Sequence, residues 1–172
     1  MVDKITIDRI AQAHPKVREE LLEQYTHINE NLLGAGVRLR FAYVYRSPEE
    51  QHQLFLKRPV VTHADSWQSI HQYGLAFDIV LLLDKDGNGT YESVSWDIAK
   101  DFDKDGKADW SEIRDYLKSK GWSYGGDWKS LKDYPHFEKT FGLTNKLMKA
   151  KIDAKNYKEE TVGGIKIKYI NI

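Results

Sequence analysis

No cysteine occurs in the 172 residues, which excludes disulfides, a thiol nucleophile and any thiolate-ligated metal site. A metal, if there is one, must be held by His, Asp or Glu, and the chain is indifferent to the redox state of its compartment. Excess charge of one sign is also missing, since 26 Lys and Arg balance 26 Asp and Glu. That balance removes the basic footprint of a nucleic-acid binder and the polybasic signal of a membrane-surface protein. Long apolar runs are lacking too: Ile79 to Leu83 is far too short to span a bilayer, and Met1 to Ile10 has no apolar core of the signal-peptide kind. The expectations are no membrane insertion, no nucleic-acid partner, a monomer, and, for any substrate outside the cytoplasm, export or release by another route.

Neither an internal repeat nor a long linker divides the chain, so 1–172 reads as one domain. From Thr6 to Leu33, Ile7, Ile10, Val17, Leu21, Leu22, Tyr25, Ile28, Leu32 and Leu33 recur at mostly helical spacing. The interruption at His14-Pro15 predicts two helices within 1–34, ended by Gly34 and Gly36. Val37 to Tyr45 alternates as a strand, and Ser47-Pro48-Glu49-Glu50 reads as a helix start with Ser47 as N-cap. Leu75 to Leu83 is a nearly continuous apolar run bounded by turn residues, which predicts a buried strand. Residues 84–112 form an acidic, turn-rich insertion holding a short, irregular helix over Ser93 to Lys100. Ser111 to Lys120 predicts a helix ending at Gly121. Tyr134 to Phe137 is a short extended piece, and 164–172 alternates as a C-terminal edge strand.

Asp78 breaks the apolar run. An ionised carboxylate in a buried strand costs several kcal/mol unless compensated, so Asp78 calls for a metal, an arginine or a helix N-terminus. His71 stands just before the Gly74 turn, and His136 follows Asp133 by three residues, with Pro135 preventing an ordinary helix there. Taken singly, each histidine reads more simply as a core or turn residue. Together, two histidines and a carboxylate make a catalytic zinc set with one position left for water, and Asp133 could take that water's proton. Glu138 is the alternative base.

The pattern S-x-H-x-x-G-x-A-x-D at 69–78, followed by D-x-x-H at 133–136, resembles the M15 metallopeptidases. Tyr45-Arg46-Ser47 with Gln51, Val61-Thr62 and Gly125-Gly126-Asp127-Trp128 extend the likeness over roughly residues 35–142. The resemblance implies an α+β fold, a small antiparallel sheet flanked by helices, as in D-alanyl-D-alanine carboxypeptidases and hedgehog-like domains. It implies that His71, Asp78 and His136 bind zinc, that Asp133 is general base, and that Arg46 and Ser69 contact substrate. The substrate implied is a peptidoglycan stem peptide. Among the subgroups, the L-alanyl-D-glutamate endopeptidases of phage endolysins and bacterial autolysins are most similar. A D-alanyl-D-alanine carboxypeptidase or dipeptidase, and a non-catalytic zinc- or calcium-binding module, remain as alternatives. Arg46 could instead pair with Glu49 or Glu50. Trp67 stands where close relatives carry a small residue, which predicts a narrowed groove.

A second metal pattern lies in the insertion. Asp101, Asp103, Asp105, Asp109 and Glu112 occupy positions one, three, five, nine and twelve of an EF-hand loop, with Gly106 at six and the Lys107 carbonyl at seven. Without a clear preceding helix it is at most an isolated calcium loop, and a solvated acidic turn is the competing reading. Asp84-x-Asp86-x-Asn88-Gly89 is a weaker echo with Ser95 at position twelve, and reads as a turn.

Overall fold

The computed structural model describes residues 3–172. Helices α1 (Lys4–Ala11) and α2 (Pro15–His27), the second running into a π-helical turn at Ile28–Leu32, precede strand β1 (Val37–Tyr43) and helix α3 (Pro48–Leu56). A 3-10 turn at Ile70–Tyr73 leads into β2 (Ala76–Leu83), followed by β3 (Ser93–Ser95), α4 (Asp109–Ser119) and β4 (Ser123–Tyr124). The chain then forms β5 (His136–Glu138), α5 (Asn145–Asp153), β6 (Tyr157–Val162) and β7 (Ile165–Ile170). No helix among the described residues is long and apolar enough to cross a membrane.

The expected α+β architecture is present. Strand β2 is the spine of an antiparallel sheet: β1 pairs along one edge, while β5 and β3 share the other, and β4 extends the sheet beyond β5. Its apolar run is continuous because both faces are covered. Phe77 stacks between Phe41 and Phe137 at centroid distances of 4.5 and 5.5 Å, and meets Trp122 edge-on at 4.8 Å. The buried stripe Ile10, Val17, Leu21, Tyr25 and Ile28 of the N-terminal helices belongs to the same core.

Local chemistry fixes the entrances to the site. Ser47 is the N-cap of α3 and Pro48 lies in its first turn, as the sequence predicts, and Glu50 completes a reciprocal capping box with Ser47. Gly74 ends the 3-10 turn at φ +68°, and a Cβ there would lie 2.6 Å from the backbone N of His14. Only glycine allows both that conformation and that approach of the α1–α2 junction.

Two expectations are corrected. Ser93–Ser95 is a strand paired with Leu81–Leu83, not part of a helix, because its alternating residues complete the exposed edge of β2. Helix α4 begins at Asp109, two residues before Ser111, since fully buried Trp110 is already on its core-facing side. The C-terminal segment is a strand, and it lies apart from the main sheet. It pairs with β6, over the register Tyr157↔Ile170 to Val162↔Ile165, as a separate hairpin. That hairpin is held to the core by His14, whose Nε2 lies 2.8 Å from the Ile170 carbonyl oxygen.

Candidate metal centre and active site

Strand register assembles the centre. Asp78 of β2 lies directly opposite His136 of β5, so both side chains leave the same face, the one opposite Phe77. On the other edge, an irregularity between Phe41 and Tyr43 sets Tyr43 opposite Asp78. Beyond β1 the chain turns to deliver the Val44 carbonyl to His71 Nδ1 at 2.8 Å. A carbonyl only accepts, so Nδ1 carries the proton, and in the neutral ring Nε2 presents its lone pair to the centre.

Asp78 Oδ1 lies 3.4 Å from His71 Nε2 and 3.2 Å from His136 Nδ1. A tetrahedral ion with bonds of about 2.0–2.1 Å sets its ligand atoms about 3.3 Å apart. The donor atoms of His71, Asp78 and His136 all lie within 4.8 Å of one another. Two imidazoles and a carboxylate at this spacing fit one divalent metal. Neither an arginine nor a helix N-terminus takes the place of these histidines beside Asp78.

The carboxylates and imidazoles of the centre also act on one another electrostatically. Burial works against the charge of Asp78, but the nearby histidines outweigh it and hold the carboxyl well below its usual range. Burial likewise opposes charge on His136. Hydrogen bonds to Asp78 and Glu138 overcome it and raise the imidazole to about 9.

Glu138 is the residue that the sequence offered only as a substitute base. Its Oε2 lies 2.8 Å from His136 Nε2, on the ring edge turned away from Asp78. Two residues apart on one strand, His136 and Glu138 share a face, a signal that could be used only once β5 was known to be a strand. Glu138→Gln is expected to weaken metal binding about 10–100-fold, since it removes the carboxylate that orients the ring and makes it more basic. Competition with a chromophoric chelator would measure this, and unchanged affinity would mean that Glu138 merely neighbours the ring.

Asp133 sits in the turn before β5. Its N–H donates to the Gly125 carbonyl at 3.1 Å, and its own carbonyl accepts from the His136 N–H at 3.2 Å. The Gly125 backbone leaves no room for a side chain, because a Cβ would fall 2.3 Å from the Asp133 carbonyl oxygen and 3.1 Å from His136 Cβ. Glycine here lets the second cluster close onto the first. Burial, reinforced by the charge of Asp78, pushes the Asp133 carboxyl upward. Trp128 covers His136 at a ring distance of 5.2 Å.

Arg46 bonds to Gln51 Oε1 at 3.1 Å, rather than to Glu49 or Glu50, and lies over the Tyr43 ring at 5.1 Å. Buried Gln51 also accepts from Gln72 Nε2 at 3.2 Å, and Gln72 completes a capping box with Ser69, whose hydroxyl accepts from the His71 N–H. One network therefore ties Arg46, Ser69 and His71 together. Trp67 tilts against Tyr73 at 5.5 Å and accepts the Tyr73 hydroxyl hydrogen bond on its carbonyl. It borders a cavity of about 400 Å³ with Tyr45 and Ser47, beside the groove that holds Arg46.

Residues 62–139, which carry all three donors and Asp133, match the family model described as D-alanyl-D-alanine carboxypeptidase, of the M15 peptidases. This segment is similar to the M15 peptidases. The chain is also similar to the peptidoglycan L-alanyl-D-glutamate endopeptidase CwlK of Bacillus subtilis (strain 168), with 42% identity over 99 residues. That alignment covers 55% of this chain and 56% of the relative, so the chain spans about half the length of the curated relative it matches. Among solved structures, the L-Ala D-Glu endopeptidase ChiX of Serratia marcescens superposes with a TM-score of 0.50 and 22% identity. It covers 79% of this chain and 86% of its own, a likeness of fold.

Residues 84–112 hold two acidic turns. Asp101, Asp103 and Asp109 bring ligand oxygens within 4.8 Å of one another; Asp105 and Glu112 fall outside that set. Asp105 instead accepts from the Lys107 N–H at 2.8 Å, and Glu112 Oε1 faces Lys107 Nζ at 3.4 Å. In the weaker echo, Asp84, Asp86 and Glu92 likewise bring ligand oxygens within 4.8 Å of one another, and Asp84 accepts from the N–H groups of Gly87, Asn88 and Gly89 in an Asx-type turn, as Asp101 does from those of Lys104 and Gly106.

Proposed function

We propose that the chain is a zinc-dependent endopeptidase that hydrolyses the L-alanyl-D-glutamate bond of peptidoglycan stem peptides. The observation that carries this reading is the spacing of the His71, Asp78 and His136 donor atoms, with the Asp133 carboxylate free of the donor set beside them. The activity in the name of the 42% identical relative supports the choice of bond. Zinc, when bound, supplies a Lewis acid for the scissile carbonyl and a water acidified toward neutral pH. Asp133 takes that water's proton and passes it to the departing amine, so that water adds across the amide and leaves an alanine carboxylate and a glutamate amine. Arg46 holds a substrate carboxylate or the developing oxyanion, and Ser69 contacts the peptide from the network it shares with Arg46. A groove of about 640 Å³, lined by Tyr43, Tyr45, Arg46, Glu49, Glu50 and Lys57 among others, gives an extended peptide its place.

Mass spectrometry of the fragments released from purified peptidoglycan tests the reading, because it reports activity and bond together. The expected products are stem peptides that begin at D-glutamate, with L-alanine left on the glycan. Release of D-alanine alone would replace the endopeptidase by a carboxypeptidase, the activity in the family description. Intact wall after incubation with zinc-loaded protein would leave a metal-binding module without catalysis.

A further inference from the structure

We propose that the 101–112 loop is a second, oxygen-only cation site that takes calcium and fastens α4 to the N-terminal helical layer. Spacing alone would not distinguish it from a solvated turn. What does is a pair of orphaned oxygens. Asp109 is fully buried, and its Oδ1 has no hydrogen-bond partner. Glu112 Oε2 is likewise buried and unpartnered. Among the described residues these are the unsatisfied buried carboxylate oxygens, and they fall at positions nine and twelve of the loop.

A buried carboxylate oxygen without a donor costs free energy that a native structure normally recovers somewhere. Asp109 already offers an oxygen within 4.8 Å of oxygens on Asp101 and Asp103. Lys107 is a poor remedy: its Nζ reaches Glu112 Oε1 at 3.4 Å and Asp105 Oδ2 only at 4.0 Å, from a largely exposed side chain. A cation entering the loop would displace it at little cost. The chemistry favours calcium, because every candidate donor is a hard oxygen and the twelve-residue spacing ends in a glutamate able to bind through both oxygens. The catalytic centre, with two imidazoles, selects differently.

The structural consequence follows from what the ligands hold. Asp103 Oδ2 accepts from the Gly34 N–H at 2.7 Å, where the N-terminal helical region ends. Asp109 Oδ2 accepts from the Phe102 N–H at 2.7 Å, and Asp109 is the first residue of α4. A shared ion would lock these two points together. The 84–92 turn has no such orphaned oxygens and carries no equivalent inference.

Calcium chloride titrated into the zinc-loaded full chain, followed by calorimetry and thermal melting, tests the site. The expected result is one calcium per chain and a melting temperature raised by roughly 5–10 °C at a hundredfold excess over the dissociation constant. Glu112→Gln should weaken binding at least about tenfold, because the bidentate contact is lost. The ion-free Glu112→Gln protein should melt no lower than wild type, since the amide relieves an uncompensated carboxylate. Asp84→Asn should leave the calcium response intact. No heat and no change in melting up to about 10 mM calcium, well above the weakest loops of this type, would overturn the proposal. So would a response lost in Asp84→Asn and kept in Glu112→Gln.

Discussion

Replacing Asp133 with alanine is expected to lower the rate of stem-peptide cleavage about a hundredfold to ten-thousandfold, while one metal per chain is retained. That is a loss of about 2.7–5.4 kcal/mol of transition-state stabilisation. The separation of effects follows from the geometry. Asp133 is not among the three groups whose donor atoms converge, yet its backbone is clamped between the Gly125 carbonyl and the His136 N–H. The turn that presents His136 therefore survives loss of the Asp133 side chain. Burial and the nearby Asp78 charge raise the Asp133 carboxyl, which makes its carboxylate a better proton acceptor than an exposed aspartate. Steady-state kinetics on a defined stem peptide, with elemental analysis of the same samples, would check both halves. Wild-type turnover with metal retained would move the base elsewhere. Glu138 is poorly placed to inherit the role, since its Oε2 is engaged by His136 Nε2. Loss of metal along with activity would recast Asp133 as a ligand.

Much of this was legible because it is local. The N-cap at Ser47, the continuous apolar run of β2 and the glycine after His71 each depend on neighbours a few residues away. The grouping of His71, Asp78 and His136 was signalled differently: an aspartate inside an apolar strand requires a compensating partner, which could equally have been an arginine, and the two histidines were singled out by the resemblance of their motifs. What remained hidden depends on pairing across the chain. β3 is too short to declare itself without the β2 edge it completes. The Tyr157–Val162 strand alternates weakly and acquires its meaning from Ile165–Ile170 across the hairpin. The contact between Glu138 and His136, the Val44 carbonyl on His71, and the closeness of Gly125 to Asp133 are products of register and tertiary approach. No sequence spacing encodes them.

Asp78→Asn is expected to lower metal content and stability together, and the stability loss should depend on pH. In the metal-free protein Asp78 faces both rings, and removing one partner of a buried ion pair costs about 3–5 kcal/mol. The pH window follows from the two shifts. Asp78 is held below its ordinary 3.8, so its contribution is present above about pH 4 and fades as pH falls through the lowered value. His136 is raised from 6.5 to about 9, so its contribution is full below pH 6.5 and is lost as pH rises through about 9. The pair thus stabilises metal-free protein most between about pH 4 and 6.5. Wild-type apoprotein should lose stability between pH 6.5 and 9, and the asparagine variant should lose less over that interval because His136 then keeps only Glu138. Thermal melts of apoprotein at pH 6 and pH 9 would measure the difference. In the zinc-supplemented protein, the neutral amide is a weaker ligand than the carboxylate, so elemental analysis should find the variant below one metal per chain. Equal metal content and parallel melting curves for the two proteins would make Asp78 a structural residue of β2, and the metal centre would have to be sought without it.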